Sequence, residues 1–314
     1  TPQTPFTQVP EASPAPAPVA TSLTAPAQAQ VQLIGKRQIV SIGHPMDSSK
    51  WMEFEWLKRV LGSDVNMNVL EMSPMSEPPS TPPIVFLQRP YIEEARKTLM
   101  KWSAQGGKFY ILHLSDEYGT DPIDFYQWPA CLGVIRNYIR PDLPEKVLVL
   151  PLGFHWSIPR CEPFLHTPRP PFREFVWSFV GTDWQGRKDN LAVLKGIPGD
   201  NKCVFMDGWN SPAMLGREES LAILLNSWHV PCPRGQNPET FRIYEALEAG
   251  AVPVLVKEAG TEAFLAWFVG QLPLLVADNW NHAAQLIHTL KEKPEVYEQY
   301  RNQLLAGWEA MKKR

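Results

Sequence analysis

Short apolar runs alternate with amphipathic stretches along the chain from about residue 31 onward. Short apolar runs between turn signals are typical of buried strands, whereas apolar positions spaced three and four apart are typical of helices. In the first half, this pattern predicts strands at 38–42, 84–88, 108–114 and 147–151 and helices at 51–61 and 92–103. Strands that alternate with helices indicate an α/β fold with a mostly parallel sheet.

A second block of the same kind follows. It predicts strands at 175–180, 202–206, 227–230 and 251–256 and helices at 189–194, 217–225, 239–249, 262–270 and 281–313. The two blocks together predict two Rossmann-like, doubly wound domains that face a central cleft. Ligands of such sheets bind outside the carboxyl ends of the strands, so we expect the chemistry in that cleft.

Composition marks the parts of the chain. Residues 1–30 are mostly Pro, Ala, Thr, Gln, Ser and Val, which bury too little apolar surface to offset the entropy of ordering, and we predict a disordered stem or linker. Residues 31–158 form the predicted first domain and 172–280 the second, with a connector between them that carries five prolines at 159–171. Residues 281–314 are predicted to be helices that pack back across the domains.

Charge and hydropathy exclude some classes of function. The formal net charge of −3 offers no global attraction to polyanions, so no nucleic-acid partner is expected. No window reaches the roughly 18 apolar residues that span a bilayer, so the chain as given is not expected to insert into a membrane. The chain begins at Thr1, and the compartment stays open: the Golgi lumen if an upstream anchor was removed, otherwise the cytoplasm.

Several motifs are absent. The four cysteines form no CxxC pair and no zinc-type spacing, so no metal is assigned, and one or two disulfides stay open. There is no Asp-x-Asp, which makes an obligatory manganese or magnesium ion unexpected. The lack of GxGxxG and GxxxxGK[ST] argues against a dinucleotide oxidoreductase and a P-loop nucleotidase.

The most informative segment is 231–254, which runs strand, glycine loop, helix, strand. Pro238 suits a first helical turn, Glu239 suits the positive end of a helix, and Gly250 suits the position just after its last turn. A helix at 239–249 would direct its unpaired N–H groups at the loop Arg234-Gly235. This arrangement predicts an anion site that fits a diphosphate.

Arg242 and Glu245 lie three positions apart, so the predicted helix places them on one face. A guanidinium can bind phosphate oxygens in a bidentate way, and a carboxylate can accept from both hydroxyls of a ribose. The alternative is a solvated ion pair of a few tenths of a kcal/mol (~0.2–0.5). Next to the anion site, we favour binding of a nucleotide.

The segment resembles the donor-binding signature of the exostosin-like glycosyltransferases, which have the GT-B fold. The matching elements are Pro233-Arg234-Gly235, Thr240-Phe241-Arg242, Glu245-Ala246 and 250–254. The equivalent helix of some fucosyltransferases is similar. The resemblance implies a nucleotide-sugar site that includes Pro233, Arg234, Gly235, Thr240, Arg242 and Glu245.

Other stretches extend the resemblance over most of the chain after residue 100. Phe179-Val-Gly181-Thr182, followed by Arg187, is similar to the glycine loop of the donor domain, where the family places a phosphate-binding arginine. Gly181 and Arg187 are therefore added to the donor-binding residues. The stretches 113–119, 136–140 and 150–153 resemble acceptor-domain landmarks of the ribitol xylosyltransferase branch.

Asp116 and Glu117 follow the predicted strand 108–114 and would lie at the cleft edge of the first sheet. Transfer with inversion requires a general base that takes the proton of the acceptor hydroxyl, and a carboxylate can fill that role. Both residues are therefore catalytic candidates. The alternative, ordinary capping of a loop by an acidic residue, stays open.

Three further residues are candidates for the cleft. His44 and His155 follow predicted strand ends, although a lone histidine is more often packed or solvated. Trp209 could stack on a uracil or guanine ring, with burial in the core as the alternative.

The sequence thus predicts a glycosyltransferase that moves a sugar from a nucleotide-diphosphate donor to a glycan hydroxyl. UDP is favoured over GDP. The family resemblance implies inversion, and the absence of Asp-x-Asp predicts that no metal is obligatory. The expected partners are a nucleotide sugar and a glycan acceptor. The alternatives are a GDP-fucose-dependent fucosyltransferase and a nucleotide- or carbohydrate-binding module without turnover.

Overall fold

The computed structural model describes residues 37–43, 53, 56, 57, 60, 69–155, 173–206, 208 and 215–312. The predicted stem at 1–30, the proline-rich connector at 159–171, His44 and Trp209 lie outside the described residues, as does most of the predicted helix at 51–61.

The first domain is built on a six-stranded sheet in which every described pairing is parallel. Its strands are β1 (Ile39–Ile42), β2 (Val69–Met72), β3 (Ile84–Leu87), β4 (Phe109–His113), β5 (Cys131–Arg136) and β6 (Val147–Val149), in the order β2-β1-β3-β4-β5-β6. Helix α1 (Ile92–Ala104) and a 3₁₀ turn (Asp124–Gln127) connect them. The central strands β1, β3 and β4 are buried along their whole length, as expected for a parallel sheet covered on both faces.

The second domain has a five-stranded parallel sheet. Its strands are β7 (Phe175–Thr182), β8 (Asn201–Met206), β9 (Ser227–Pro231), β10 (Val252–Val256) and β11 (Leu275–Ala277), in the order β11-β10-β9-β7-β8. The helices are α2 (Arg187–Ala192), α3 (Arg217–Leu225), α4 (Phe241–Glu248), α5 (Glu262–Val269), α6 (Trp280–Lys291) and α7 (Pro294–Lys312), with a 3₁₀ turn at Val193–Gly196. The prediction of an α/β fold with two Rossmann-like sheets is confirmed.

The strand order fixes where a ligand can bind. In the second sheet the chain first moves outward from β7 to β8 and then returns to the other side of β7 with β9. The loops after β7 and β9 therefore leave in opposite directions and open a crevice between them, at the switch point of the sheet. These two loops carry the predicted donor-binding residues.

Helix α4 begins later than the sequence predicts. Thr240 has an extended backbone (φ −127°, ψ 151°) and is the N-cap, so the helix starts at Phe241 rather than at Glu239. The reason is tertiary: the Glu239 N–H donates to Asn237 Oδ1, and the Glu239 carboxylate accepts from the Leu152 N–H of the first domain. Pro238 and Glu239 consequently belong to the loop and tie it to the other domain.

The two domains also meet at the C-terminal helix. Trp308 of α7 stacks on Trp56 of the first domain, with ring centroids 5.4 Å apart and planes at 15°. The Trp308 indole N–H also donates to Glu248 Oε1 at the end of α4. Helix α7 thus contacts both the first domain and the donor-binding helix.

No helix among the described residues combines the length and apolar character needed to span a membrane. The described cysteines, Cys131, Cys203 and Cys232, are free thiols.

Candidate active site

Three arginines line the crevice at the switch point, and their described partners are backbone carbonyls. Arg187 donates to the Arg234 carbonyl through Nε (3.0 Å) and Nη2 (2.9 Å), and Arg242 Nη2 donates to the Val180 carbonyl (2.6 Å). Arg234 Nη1 donates to the Ala259 carbonyl at 2.7 Å. Within the part of the chain that the structure describes, no carboxylate lies within ion-pair distance of any of the three, so their positive charge is left for a ligand.

Burial makes this positive charge costly. The Arg187 side chain is buried, and its pKa falls to about 10 because of that burial and because the Arg242 guanidinium lies nearby. Burial also lowers the pKa of Arg242, whose guanidinium lies 4.3 Å from the centre of the Phe179 ring. Glu117 and Asp183 near Arg187, and Glu245 near Arg242, favour the charged guanidiniums but lie outside ion-pair distance. A bound anion would therefore offset part of the cost of burying these two cations.

Gly181 makes room for one of these arginines. A methyl group added at Gly181 would lie 2.5 Å from Arg242 Nη2, too close for a non-bonded contact. The residue is therefore needed for close approach of the guanidinium to the end of β7.

We expect Gly181→Ala to displace the Arg242 guanidinium and to weaken nucleotide binding by about tenfold, the loss of roughly one hydrogen bond to a charged group. Calorimetric titration with UDP measures the effect, and circular dichroism checks that the fold is retained. Gly196→Ala is a matched control, since an added methyl group there meets nothing within 4 Å. Equal UDP affinities for the wild type and Gly181→Ala would show that nucleotide binding does not depend on the position of the Arg242 guanidinium.

The amino end of α4 points its first N–H groups into the same region. Helix N-termini carry unpaired N–H groups and partial positive charge, which favours anions. The N-cap Thr240 does not use its side chain to cap the helix, and its Oγ1 is buried without a hydrogen bond to any described residue. This hydroxyl is available to a ligand at the helix start.

Residues from both domains meet at Gly235. A side-chain carbon added there would lie 3.4 Å from Arg187 Nη2, 3.7 Å from Glu117 Oε1 and 3.7 Å from Thr240 Cγ2. Any larger residue would fill the space between the arginine of the second domain and the carboxylate of the first. Gly235 thus keeps open the place where the two halves of the site face each other.

Glu117 is the carboxylate that the first domain contributes to this point. Its backbone carbonyl accepts from Asn237 Nδ2 (3.0 Å), and its side chain accepts a hydrogen bond from the Gln236 backbone. Burial raises the pKa of Glu117, while the hydrogen bond to Gln236 and the Arg187 charge act in the opposite direction. A half-buried carboxylate with a raised pKa next to a cationic site suits a general base.

Asp116 has a different environment from its neighbour. It is 1% exposed, and its Oδ2 accepts from Arg136 Nη2 (2.9 Å) and Arg140 Nη1 (3.4 Å). Its Oδ1 accepts from the N–H groups of Thr120 and Asp121. The expectation that Asp116 faces the cleft is therefore wrong: the two guanidiniums hold its carboxylate inside the first domain, where it caps the loop.

Asp116 belongs to a buried network that fixes the loop carrying Glu117. His113 Nε2 lies 3.1 Å from Asp121 Oδ2, and its Nδ1 lies 2.6 Å from the Tyr126 hydroxyl. His113, Asp116 and Asp121 place their ligand-type atoms within 4.8 Å of one another. Arg89, Arg136 and Arg140 form ion pairs with the two aspartates.

Glu245, a residue of α4, lies next to His155 of the first domain. The Glu245 side chain accepts a hydrogen bond from the His155 backbone, and the His155 ring packs edge-on against Phe241 at 5.2 Å. Burial raises the pKa of Glu245 and lowers that of His155 to about 4. The structure thus brings His155 to the start of α4 as a neutral ring.

Pro233 lies in the loop between the end of β9 and Arg234, and it is buried. A small depression beside Arg234 is lined by Pro238, Leu255, Glu258 and Trp280 among others.

Glu239 links the donor loop to the first domain through a carboxyl group whose pKa burial raises to about 7 from an ordinary value of 4.5. Between pH 4.5 and about pH 7, the Glu239 carboxyl group is therefore protonated in the folded protein but ionised in the unfolded chain. This contribution to the free energy of unfolding is complete below about pH 4.5 and falls by on the order of 3 kcal/mol as the pH rises to 7.

We expect Glu239→Gln to remove that slope, because the amide is neutral throughout and still accepts from Leu152. Urea unfolding between pH 4.5 and 7, followed by circular dichroism, measures it. Glu93→Gln, on the surface of α1, serves as the control. A wild type and Glu239→Gln variant with parallel pH profiles would contradict the assignment.

Two Rossmann-like sheets, with a cationic crevice at the switch point of the second, are the arrangement expected of the GT-B fold. Residues 165–314 match the family model of the RXYLT1 C-terminal domain. Over 198 residues the chain is 27% identical to human ribitol-5-phosphate xylosyltransferase 1, covering 60% of this chain and 40% of that protein.

A crystal structure of an α1,3-fucosyltransferase aligns with 88% of this chain and 90% of its own, at 12% identity and a TM-score of 0.47. Over the matched regions, the chain is similar to the ribitol xylosyltransferase branch of the GT-B glycosyltransferases. The resemblance predicted from the segment 231–254 is confirmed. The match spans about 40% of the length of the human relative.

Proposed function

We propose that this protein transfers a sugar from a nucleotide-diphosphate donor to a hydroxyl group of a glycan. The observation that carries the proposal is the pair of buried guanidiniums, Arg187 and Arg242, which contact backbone carbonyls and no described carboxylate. The negative charge of a diphosphate would neutralise these two guanidiniums, and their planar geometry matches phosphate oxygens. The relation to a xylosyltransferase supports the same reading.

The reaction needs a base and a stabilised leaving group. The acceptor oxygen attacks the anomeric carbon, the bond from that carbon to the diphosphate breaks, and the electron pair leaves with the diphosphate. Glu117 takes the proton of the acceptor hydroxyl, and Arg187, Arg242 and the start of α4 stabilise the charge that develops on the leaving group. Attack from the Glu117 side, opposite the diphosphate, inverts the anomeric configuration.

Arginines and a helix end supply the positive charge in this proposal, so transfer requires no divalent ion. The half-buried Glu245, on the same face of α4 as Arg242, accepts from the ribose hydroxyls. The donor is a UDP-sugar, and the printed name of the human relative makes UDP-xylose the first to test and a ribitol phosphate the first acceptor.

Thermal unfolding with a nucleotide panel tests the proposal. UDP and a UDP-sugar should raise the melting temperature, since a ligand at about 100 times its Kd adds roughly 2.7 kcal/mol to the stability of the folded state. Selective stabilisation by GDP and GDP-fucose would assign the fucosyltransferase alternative, and no stabilisation by any nucleotide would refute the proposal.

Release of the nucleotide separates an enzyme from a binding module. The proposal predicts that UDP appears when the protein is incubated with its UDP-sugar, and faster when an acceptor is added. Binding without release under every acceptor tried would favour a module without turnover.

A further inference from the structure

A second carboxylate lies directly behind the loop that carries Glu117. Glu53 is 2% exposed, and its Oε1 accepts from Ser115 Oγ at 2.8 Å and from Asn137 Nδ2 at 3.4 Å. The ring of contacts is closed by the Ser115 N–H, which donates to Asn137 Oδ1 at 3.1 Å. Three segments that are far apart in the chain therefore meet two residues before Glu117.

This contact holds the backbone in an uncommon conformation. Ser115 has a φ of +63° and Tyr138, next to Asn137, a φ of +58°, a region that residues with side chains rarely adopt. Such conformations persist only where surrounding contacts over-determine them, and they concentrate at functional sites. The Glu53 carboxylate contacts one of these residues and the neighbour of the other.

The Glu53 carboxyl group is itself enclosed by the first domain. Its Oε2 is buried and makes no hydrogen bond to another described residue. Burial raises the pKa of Glu53, and the charge of Glu117 acts in the same direction. What links Glu53 to Glu117 is therefore the hydrogen bond to Ser115, which fixes the backbone two residues before Glu117.

We propose that Glu53 is a positioning residue that fixes the turn before Glu117 and thereby the place of the Glu117 carboxylate in the cleft. The inference rests on the proposed function, in which Glu117 is the base. It does not place Glu53 in contact with substrate.

The test compares kcat and KM for sugar transfer in Glu53→Ala and Glu53→Gln. Alanine removes the acceptor of the Ser115 hydroxyl, so kcat should fall by about tenfold or more while UDP affinity stays unchanged. The glutamine oxygen can still accept from Ser115, so Glu53→Gln should keep most of the wild-type kcat. Glu71→Gln, an exposed change on the edge strand β2, is the matched control and should leave both constants unchanged.

Two outcomes would overturn the positioning role. One is a wild-type kcat in Glu53→Ala, and the other is an equal loss of kcat in Glu53→Gln and Glu53→Ala. Full activity in Glu117→Gln would instead contradict the proposed base, which is a separate result because it does not involve Glu53.

Discussion

Replacing Glu117 with glutamine is expected to lower the turnover number for sugar transfer by at least about a hundredfold while UDP binds as before. General-base catalysis contributes roughly 10²–10⁴-fold, and the amide cannot take the proton of the acceptor hydroxyl. The loss should appear in kcat, because the carboxylate acts on the acceptor and does not neutralise the diphosphate. Steady-state kinetics and calorimetric titration with UDP measure the two quantities.

The neighbouring residue gives the matched comparison. Asp116→Asn removes a buried charge that pairs with Arg136 and Arg140. Breaking a buried ion pair costs about 3–5 kcal/mol, so we expect a lower free energy of unfolding as the primary effect. A Glu117→Gln variant with wild-type turnover would remove this residue from the mechanism.

The second large effect is expected for Arg242→Ala, which should weaken UDP binding by about a hundredfold or more. The substitution removes one of the two buried guanidiniums and a hydrogen-bond donor to the diphosphate, each charge-assisted contact being worth roughly 1.5–3 kcal/mol. Calorimetric titration with UDP and with UMP measures the loss. Since the contact is to phosphate, UDP should lose more affinity than UMP.

Arg96→Ala provides the control for Arg242→Ala. Arg96 lies on α1 and pairs with Asp124, outside the crevice. Arg242→Lys should recover only part of the affinity, because an ammonium group lacks the two-pronged geometry of a guanidinium. Unchanged UDP affinity in Arg242→Ala would mean that the anion binds elsewhere.

The donor side of the site could be predicted from the sequence because its signals are local. Gly181, Gly235 and Arg242 lie in short strand–loop–helix segments, where strand ends and the glycine loop determine the geometry. Fold class was also accessible, since β1, β3, β4, β7 and β10 are mostly apolar runs. Strands β2, β5 and β11 were not predicted: β2 has two exposed positions, and β11 spans only three residues.

The catalytic side depended on contacts between distant parts of the chain. Asp116 and Glu117 are adjacent in sequence, and only the guanidiniums of Arg136 and Arg140 decide which of them turns inward. Glu53 lies 62 residues before Ser115, and no local pattern connects the two. The late start of α4 has the same origin, because Leu152 of the other domain holds Glu239 outside the helix.

The central claim is that Arg187, Arg242 and the amino end of α4 bind the diphosphate of a nucleotide sugar. A crystal structure of the protein with UDP tests it most directly. The account predicts diphosphate oxygens within hydrogen-bond distance of both guanidiniums and of the Thr240 hydroxyl, with Glu117 across the cleft. A diphosphate bound away from the β7 and β9 loops, or one whose charge is met by other residues, would contradict it.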